Sequence, residues 1–304
     1  MSNIKRITVI GGTRNLGVPV VKNLLSLGFP VKLMARNPGK AEKIFGHSDD
    51  LEIVKGDVSD QSSLKDALQG TTYLYLNLST NATDLDIPFS TEREGIRNII
   101  ASVDHNTIRQ IIMISGLGAL DNHNEPGSFE FVPNIIRKQG HRILKDSGIP
   151  YTILHCSWFM DSFLFYRRKD TYTVIGNNVD PIYFTNCHDY TTNLVHALDN
   201  KEALFREFPV QGREGIVHSE AARRFFNVYD PSSRVKVMPA WLLNLLSPIS
   251  KEMKFVRHMS DYSKNSPESF LAEEFGTYRI LGNPELDPEG YASKLLQKEP
   301  TKMS

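Results

Sequence analysis

Apolar and polar positions change period repeatedly along this 304-residue chain, and each change marks an element. Residues 6–10 are a short β-branched run, a predicted strand, ending in Gly11-Gly12. Residues 16–27 then carry apolar side chains at helical spacing until Gly28, a residue that tolerates the left-handed geometry of a helix end. The same sequence of events recurs. Strands are predicted at 30–35, 51–55, 72–76, 110–114 and 151–154, with helices at 40–45, 63–68, 91–104 and 135–146 between them. The helix at 91–104 repeats Ile96, Ile99, Ile100 and Val103 on one face, and 110–114 has the continuous apolar character of a strand covered on both sides.

Strands alternating with helices predict an α/β fold, a Rossmann-type doubly wound parallel sheet with right-handed crossovers. After Trp158 the alternation breaks down. A short strand at 183–185, helices at 189–198, 220–226, 240–246 and 266–275, an extended piece at 208–212 and a strand at 235–238 suggest a smaller α+β region. Pro239 suits the first turn of the helix at 240–246, and the chain is expected to fray from about Lys298. The expected division is a dinucleotide-binding domain at 1–157 and a substrate-binding region at 158–304, with part of 180–200 as the segment able to rejoin the sheet.

Composition narrows the class of partner. With 40% hydrophobic and 23% charged residues the chain can bury a substantial core. Lys+Arg and Asp+Glu both number 35, and no basic stripe or tail appears, which argues against nucleic acid. No apolar run approaches membrane-spanning length and Met1–Arg6 lead straight into the first strand, so no membrane association is expected. Two cysteines suit a reducing compartment, and the expected location is cytoplasmic.

The candidate chemistry starts at Gly11, Gly12, Thr13, Arg14, Asn15, Leu16 and Gly17. A strand, a glycine turn and a helix start together make a phosphate-binding device, because the backbone can approach a pyrophosphate and free N–H groups point at it. Arg14 either pairs with a phosphate or narrows the site. At the end of the second predicted strand an acidic residue would take a ribose 2′-hydroxyl. This chain has Arg36 there, with Lys40 behind, and cations suit a 2′-phosphate; the alternative is a solvated surface arginine. The expected cofactor is therefore NADP(H). Asn77, Leu78 and Ser79 follow the fourth strand and Ser115 the fifth, positions that face the ribose and nicotinamide side. Trp158 and Phe159 follow the sixth, where they either wall the nicotinamide or fill core. Trp241, Leu242, Leu243, Leu245 and Leu246 read as core.

The first turn resembles the Gly-x-Thr-Gly-x-x-Gly fingerprint of the extended and atypical short-chain dehydrogenase/reductases: Gly11, Thr13 and Gly17 match, while Arg14 replaces the middle glycine. Ser147-Gly148-Ile149-Pro150-Tyr151-Thr152-Ile153-Leu154, with Trp158-Phe159-Met160 after it, resembles the NmrA-like branch, which includes isoflavone-reductase-like enzymes and NADPH:quinone reductases. The resemblance covers most of residues 4–225. It implies an adenine-binding role for Asp57, with Val58 beside it, and places Arg137 where phenylpropanoid-type reductases carry a catalytic lysine.

The Tyr-x-x-x-Lys pair of typical short-chain dehydrogenases is absent: Tyr166 is followed four residues on by Asp170 and Tyr262 by Ser266. Arginine hardly deprotonates, and Lys138 points about 100° away from Arg137 around a helix. His141 shares a face with Arg137 and titrates in a useful range, so His141, Arg137 and Lys138 are the catalytic candidates, an ordinary helix histidine being the alternative. The neighbours His155-Cys156 and Cys187-His188 lack zinc-site spacing, so no metal is expected, and no Gly-x-Ser-x-Gly elbow supports a hydrolase. Two functions remain open. One is hydride transfer from NADPH to a small apolar carbonyl, quinone or enone; the other is a redox sensor that binds NADP(H) and acts on a protein partner.

Overall fold

The computed structural model describes residues 5–80, 82–120, 129–176, 179–246 and 251–298. Seven parallel strands form one sheet: β1 (Ile7–Ile10), β2 (Val31–Ala35), β3 (Leu51–Lys55), β4 (Tyr73–Leu76), β5 (Gln110–Gly116), β6 (Tyr151–Cys156) and, after one strand that belongs to a second sheet, β8 (Arg206–Val210). Their spatial order is β3-β2-β1-β4-β5-β6-β8. The register runs Ile7 opposite Val31 on one side and opposite Tyr73 on the other. The chain lays strands outward from β1 in one direction, then returns to lay β4 on its other flank. The loops after β1 and β4 therefore diverge and open a crevice at the carboxyl ends, the usual ligand position in such sheets.

Helices cover both faces. On one, α1 (Gly17–Ser26) and α7 (Cys187–Ala197) bury Val20, Val21, Leu24, Tyr190 and Leu194 against the sheet. On the other, α3 (Gln61–Leu68), α4 (Ile96–Ser102) and α5 (Val132–Asp146) bury Leu64, Leu68, Ile96, Ile99 and Leu144. The remaining helix of this half, α2 (Pro38–Phe45), starts with proline at its first turn and takes its cap from the Asn37 side chain. Asp60 and Asn186 cap α3 and α7 in the same way.

The cover has its own aromatic core of Phe163, Tyr172, Phe184, Phe225, Phe226 and Tyr291. It is built from α6 (Ser162–Phe165), the parallel pair β7 (Thr171–Ile175) and β9 (Arg234–Met238), α8 (His218–Tyr229), α9 (Ala240–Leu246), α10 (Lys251–Asn265), α11 (Thr277–Leu281) and α12 (Pro288–Lys298). Among the described residues no helix is long and apolar enough to cross a membrane.

Three expectations need correction. The segment that extends the sheet is β8, not part of 180–200: residues 187–197 are helical and Thr185 makes a single bridge to Phe159. Residues 266–275 are not a helix. Pro267 follows the end of α10, and the Leu271 and Ala272 N–H groups turn inward to donate to the Gln211 side chain at 2.8 and 3.1 Å. Strand β7 is absent from the expected strands, although Tyr172 and Val174 alternate inward at the period of a half-buried strand. Of the predicted core at 241–246, Leu243 is buried but Trp241 is 63% exposed, and the side chains of Leu245 and Leu246 lie outside the described residues. The expected fraying concerns residues 299–304, also outside the description.

Candidate functional site

The turn after β1 is shaped by absent side chains. Gly11 has φ +87°, and a Cβ there would lie 1.9 Å from the Asn77 carbonyl oxygen. A Cβ on Gly17 would lie 2.2 Å from the Gly11 carbonyl oxygen. Only glycine lets β1, β4 and the start of α1 come this close. Asn15 adopts a positive φ of 33°, and α1 begins with neither a side-chain cap nor an acidic residue in its first turn. Such an uncapped start is suited to an anion.

From this turn a cavity of about 420 Å³ runs along the carboxyl ends of the strands. Gly11, Arg14, Asn15 and Leu16 line one end, with Asn77, Ser79, Arg137, Trp158 and Phe159 further along. The structure thus gathers these nine predicted residues around one space. Gly12 is buried behind the turn, where a Cβ would strike Leu33 and Val21, and Gly17 packs against Gly11; neither lines the cavity, nor does Thr13. Leu78 and Val58 are core residues, and Ser115 is buried beside the lining residue Gly116 with its Oγ unpartnered.

Arg36, Lys40 and Asp57 lie beyond the cavity, Arg36 and Lys40 exposed at the end of β2 and the start of α2. Partial burial opposes ionisation of Asp57, but hydrogen bonds from the Ser59 N–H and O–H and the nearby Arg36 charge hold its carboxyl below the usual range. One Asp57 oxygen is therefore already engaged in its own turn.

The catalytic candidates separate. Arg137 lines the cavity; its Nε donates to Glu92 at 2.9 Å and its Nη1 to the Asn134 Oδ1 at 3.0 Å. Lys138 lies off the cavity, as its rotation around α5 requires. His141 also lies off it. Gly140 packs so tightly on the Glu92 carbonyl that a Cβ would come within 1.9 Å, and His141, one turn beyond Arg137 along the helix, lies deeper than the cavity. There it is 3% exposed, its ring edge-on to His155 at 5.1 Å. Burial and the surrounding cations push its pKa well down, so it stays neutral at ordinary pH. Its position removes it from direct contact with anything in the cavity.

His141, His155 and Glu207 place ligand atoms within 4.8 Å of one another, as do His188, Asp189 and Glu285. In the first group His155 and Lys145 already occupy both Glu207 oxygens, which makes it an internal ion cluster. Cys156, next to His155, faces the opposite way and lines the cavity, as alternation along a strand demands.

Several lining residues carried no signal in the sequence. Asn134 sits one helical turn before Arg137 and could have been found by that spacing. Phe131, Phe255, Met259 and Tyr262 form an aromatic wall, with Tyr262 stacked on Phe131 at 4.7 Å. Glu268 accepts from the Ser157 hydroxyl at 2.8 Å and from the Gln211 amide at 2.7 Å. Burial raises its pKa, and these donors oppose the rise. Tyr262 and Glu268 reach the cavity from more than 100 residues away along the chain, so local pattern cannot place them.

A family model described as NAD(P)H-binding matches residues 11–178. The photosystem II assembly factor Ycf39 of Trieres chinensis is 24% identical over 260 residues, 83% of this chain and 78% of its own. Among solved structures, the NADPH-dependent quinone oxidoreductase of Escherichia coli, complexed with NADPH, superposes with a TM-score of 0.70 at 20% identity, covering 95% of this chain and 99% of that one. The triphenylmethane reductase of Citrobacter sp., complexed with NADP(H), gives 0.68 at 15% identity, covering 96% and 99%. These structural likenesses show a shared fold.

Proposed function

The chain belongs to the NAD(P)H-binding family, and from that premise we propose that it is an NADPH-dependent reductase of a small, largely apolar carbonyl, quinone or enone. The observation that carries this reading is the continuity of the cavity: one space begins at the glycine turn and ends in an aromatic chamber. Gly11–Gly17 would hold the diphosphate through backbone amides, with Arg14 at its edge. Arg36 and Lys40 would take the 2′-phosphate and Asp57 the adenine side. Asn77 and Ser79 border the ribose path, and Asn77 Nδ2 is buried without a partner, as a group awaiting a ligand would be, while Ser115 lies just off the path beside the lining residue Gly116. The neighbouring Leu78 and Val58 support that path from the core. When bound, reduced nicotinamide supplies a hydride. The protein's part is orientation and exclusion of water, for which Trp158, Phe159, Phe131 and Phe255 are suited.

The second reading, a nucleotide-binding regulator acting through a protein partner, draws support from the relatives named as photosystem II assembly factors and from the missing Tyr-x-x-x-Lys pair. Following NADPH absorbance with a panel of quinones, enones and carbonyls separates the two. The reductase reading expects steady oxidation of NADPH with at least one apolar acceptor. Tight nucleotide binding with no oxidation by any acceptor would favour the regulator.

A further inference from the structure

We propose that Tyr262, carried into the cavity by α10, is the catalytic group that protonates the oxygen of the reduced acceptor. This rests on the reductase reading above. Two polar groups converge at one point on the cavity wall. A Cβ built on Gly118 would lie 1.8 Å from the Tyr262 hydroxyl oxygen and 2.4 Å from the Asn134 Nδ2. Gly118 lines the cavity, so a hydroxyl and an amide nitrogen meet against its backbone only because residue 118 has no side chain.

The two groups are held from behind. The Tyr262 ring stacks on Phe131 at an interplanar angle of 16°. Arg137 Nη1 fixes the Asn134 carbonyl oxygen, which leaves Asn134 Nδ2 buried with no aligned acceptor of its own. Glu92, 4% exposed, anchors Arg137 in turn. Asn134 and Arg137 are therefore positioning residues, and Asn134 Nδ2 has a donor to spare for an oxygen beside the phenol. Four residues before Arg137, on the same helix, stands Pro133, which can supply no hydroxyl. Arginine is a poor proton donor and His141 lies behind the sheet. Where these atoms converge against Gly118, Tyr262 is the group that carries a transferable proton.

Burial raises the Tyr262 phenol above its ordinary range, while Asn134 and Arg137 oppose the rise, so the proton is in place at neutral pH. The proton step balances simply. When a hydride adds to the carbonyl carbon, the C=O π pair moves onto oxygen. The Tyr262 O–H bond breaks, its proton forms the new O–H bond, and the phenolate regains a proton from solvent water.

The test uses 4-nitrophenolate, a coloured oxyanion that presents one oxygen to the site. The wild-type protein saturated with NADP+ should bind it and shift its absorption band. Tyr262→Phe should weaken that binding about tenfold or more, the cost of one hydrogen bond to a charged group. Its NADP+ affinity in calorimetry should be unchanged. Gly118→Ala, which places a methyl group where the hydroxyl sits and keeps the phenol, should do the same, and it decides the matter if Tyr262→Phe does not fold. Equal probe affinity and band position in the folded proteins would overturn the assignment, as would a wild-type protein that binds NADP+ but not the probe. A wild-type protein that binds no pyridine nucleotide would instead overturn the reductase reading, and the assignment with it.

Discussion

The turn after β1 and the wall formed by α10 face one cavity, but they are made from different materials. The turn works through backbone: Gly11 and Gly17 are there for what they lack, and the amides at the start of α1 are left uncapped. The wall works through side chains delivered from distant segments, with Tyr262 meeting Phe131 just before α5 and Glu268 meeting Ser157 just after β6 only once the chain has folded. Backbone recognition suits a part of the ligand shared by all nucleotides of this kind. Side-chain recognition suits the part that differs from one acceptor to another. The comparison teaches that the two ends of the cavity should fail independently.

The largest expected break is at the turn. Gly11→Ala sets a Cβ 1.9 Å from a carbonyl oxygen in a left-handed backbone region, so the β1–β4 approach must open. NADPH affinity should fall by roughly 100-fold or more in calorimetry, near 3 kcal/mol. Unchanged affinity would show that the turn does not hold the diphosphate.

The complementary break is Tyr262→Phe, which should lower carbonyl reduction by about 100-fold or more while sparing nucleotide binding, the range expected for loss of a positioned acid. Loss of both together would mean the two ends are not separable.

The cover should also carry its own pH sensitivity. Burial holds His218 at about 4, against an ordinary 6.5, in a pocket where its Nε2 meets the Tyr172 hydroxyl at 2.9 Å. The unfolded chain takes up this proton near 6.5 and the folded chain only near 4. Stability is therefore full above the unfolded value and is lost as pH falls, by at most about 3 kcal/mol across that window. His218→Gln should flatten the fall in melting temperature between those pH values. An equally steep fall would place the acid sensitivity elsewhere, His141 being the next candidate.

A smaller effect is expected at the adenosine end. Replacing Arg36 and Lys40 together by alanine should cost about tenfold in NADPH affinity and leave NADH almost untouched, since both cations are exposed and screened by solvent. Equal losses for the two nucleotides would remove the 2′-phosphate role.

The same division explains what the sequence could show. The parallel sheet and the glycine turn were legible because strand and helix periods, and glycine itself, are local signals. Arg14, Asn77 and Ser79 are legible from their positions after strands, and Arg137 from the resemblance to phenylpropanoid-type reductases; all four line one cavity. His141 is misleading because helical spacing puts it on Arg137's face, whereas the rise of one turn, about 5 to 6 Å, carries it from the cavity edge to a buried place beside His155. In the sequence Tyr262 stands out only as a tyrosine with no lysine four residues on. Its role depends on a stack with Phe131 and on the empty space at Gly118, neither of which is a property of its own segment.

Calorimetric titration of the wild-type protein with NADPH and, separately, NADH is the most direct test of whether this cavity is a nucleotide site that also distinguishes the two. The expected result is saturable heat with both and at least about tenfold tighter binding of NADPH, the worth of one charge-assisted contact to a phosphate. Absence of heat with either, or tighter binding of NADH, would contradict it.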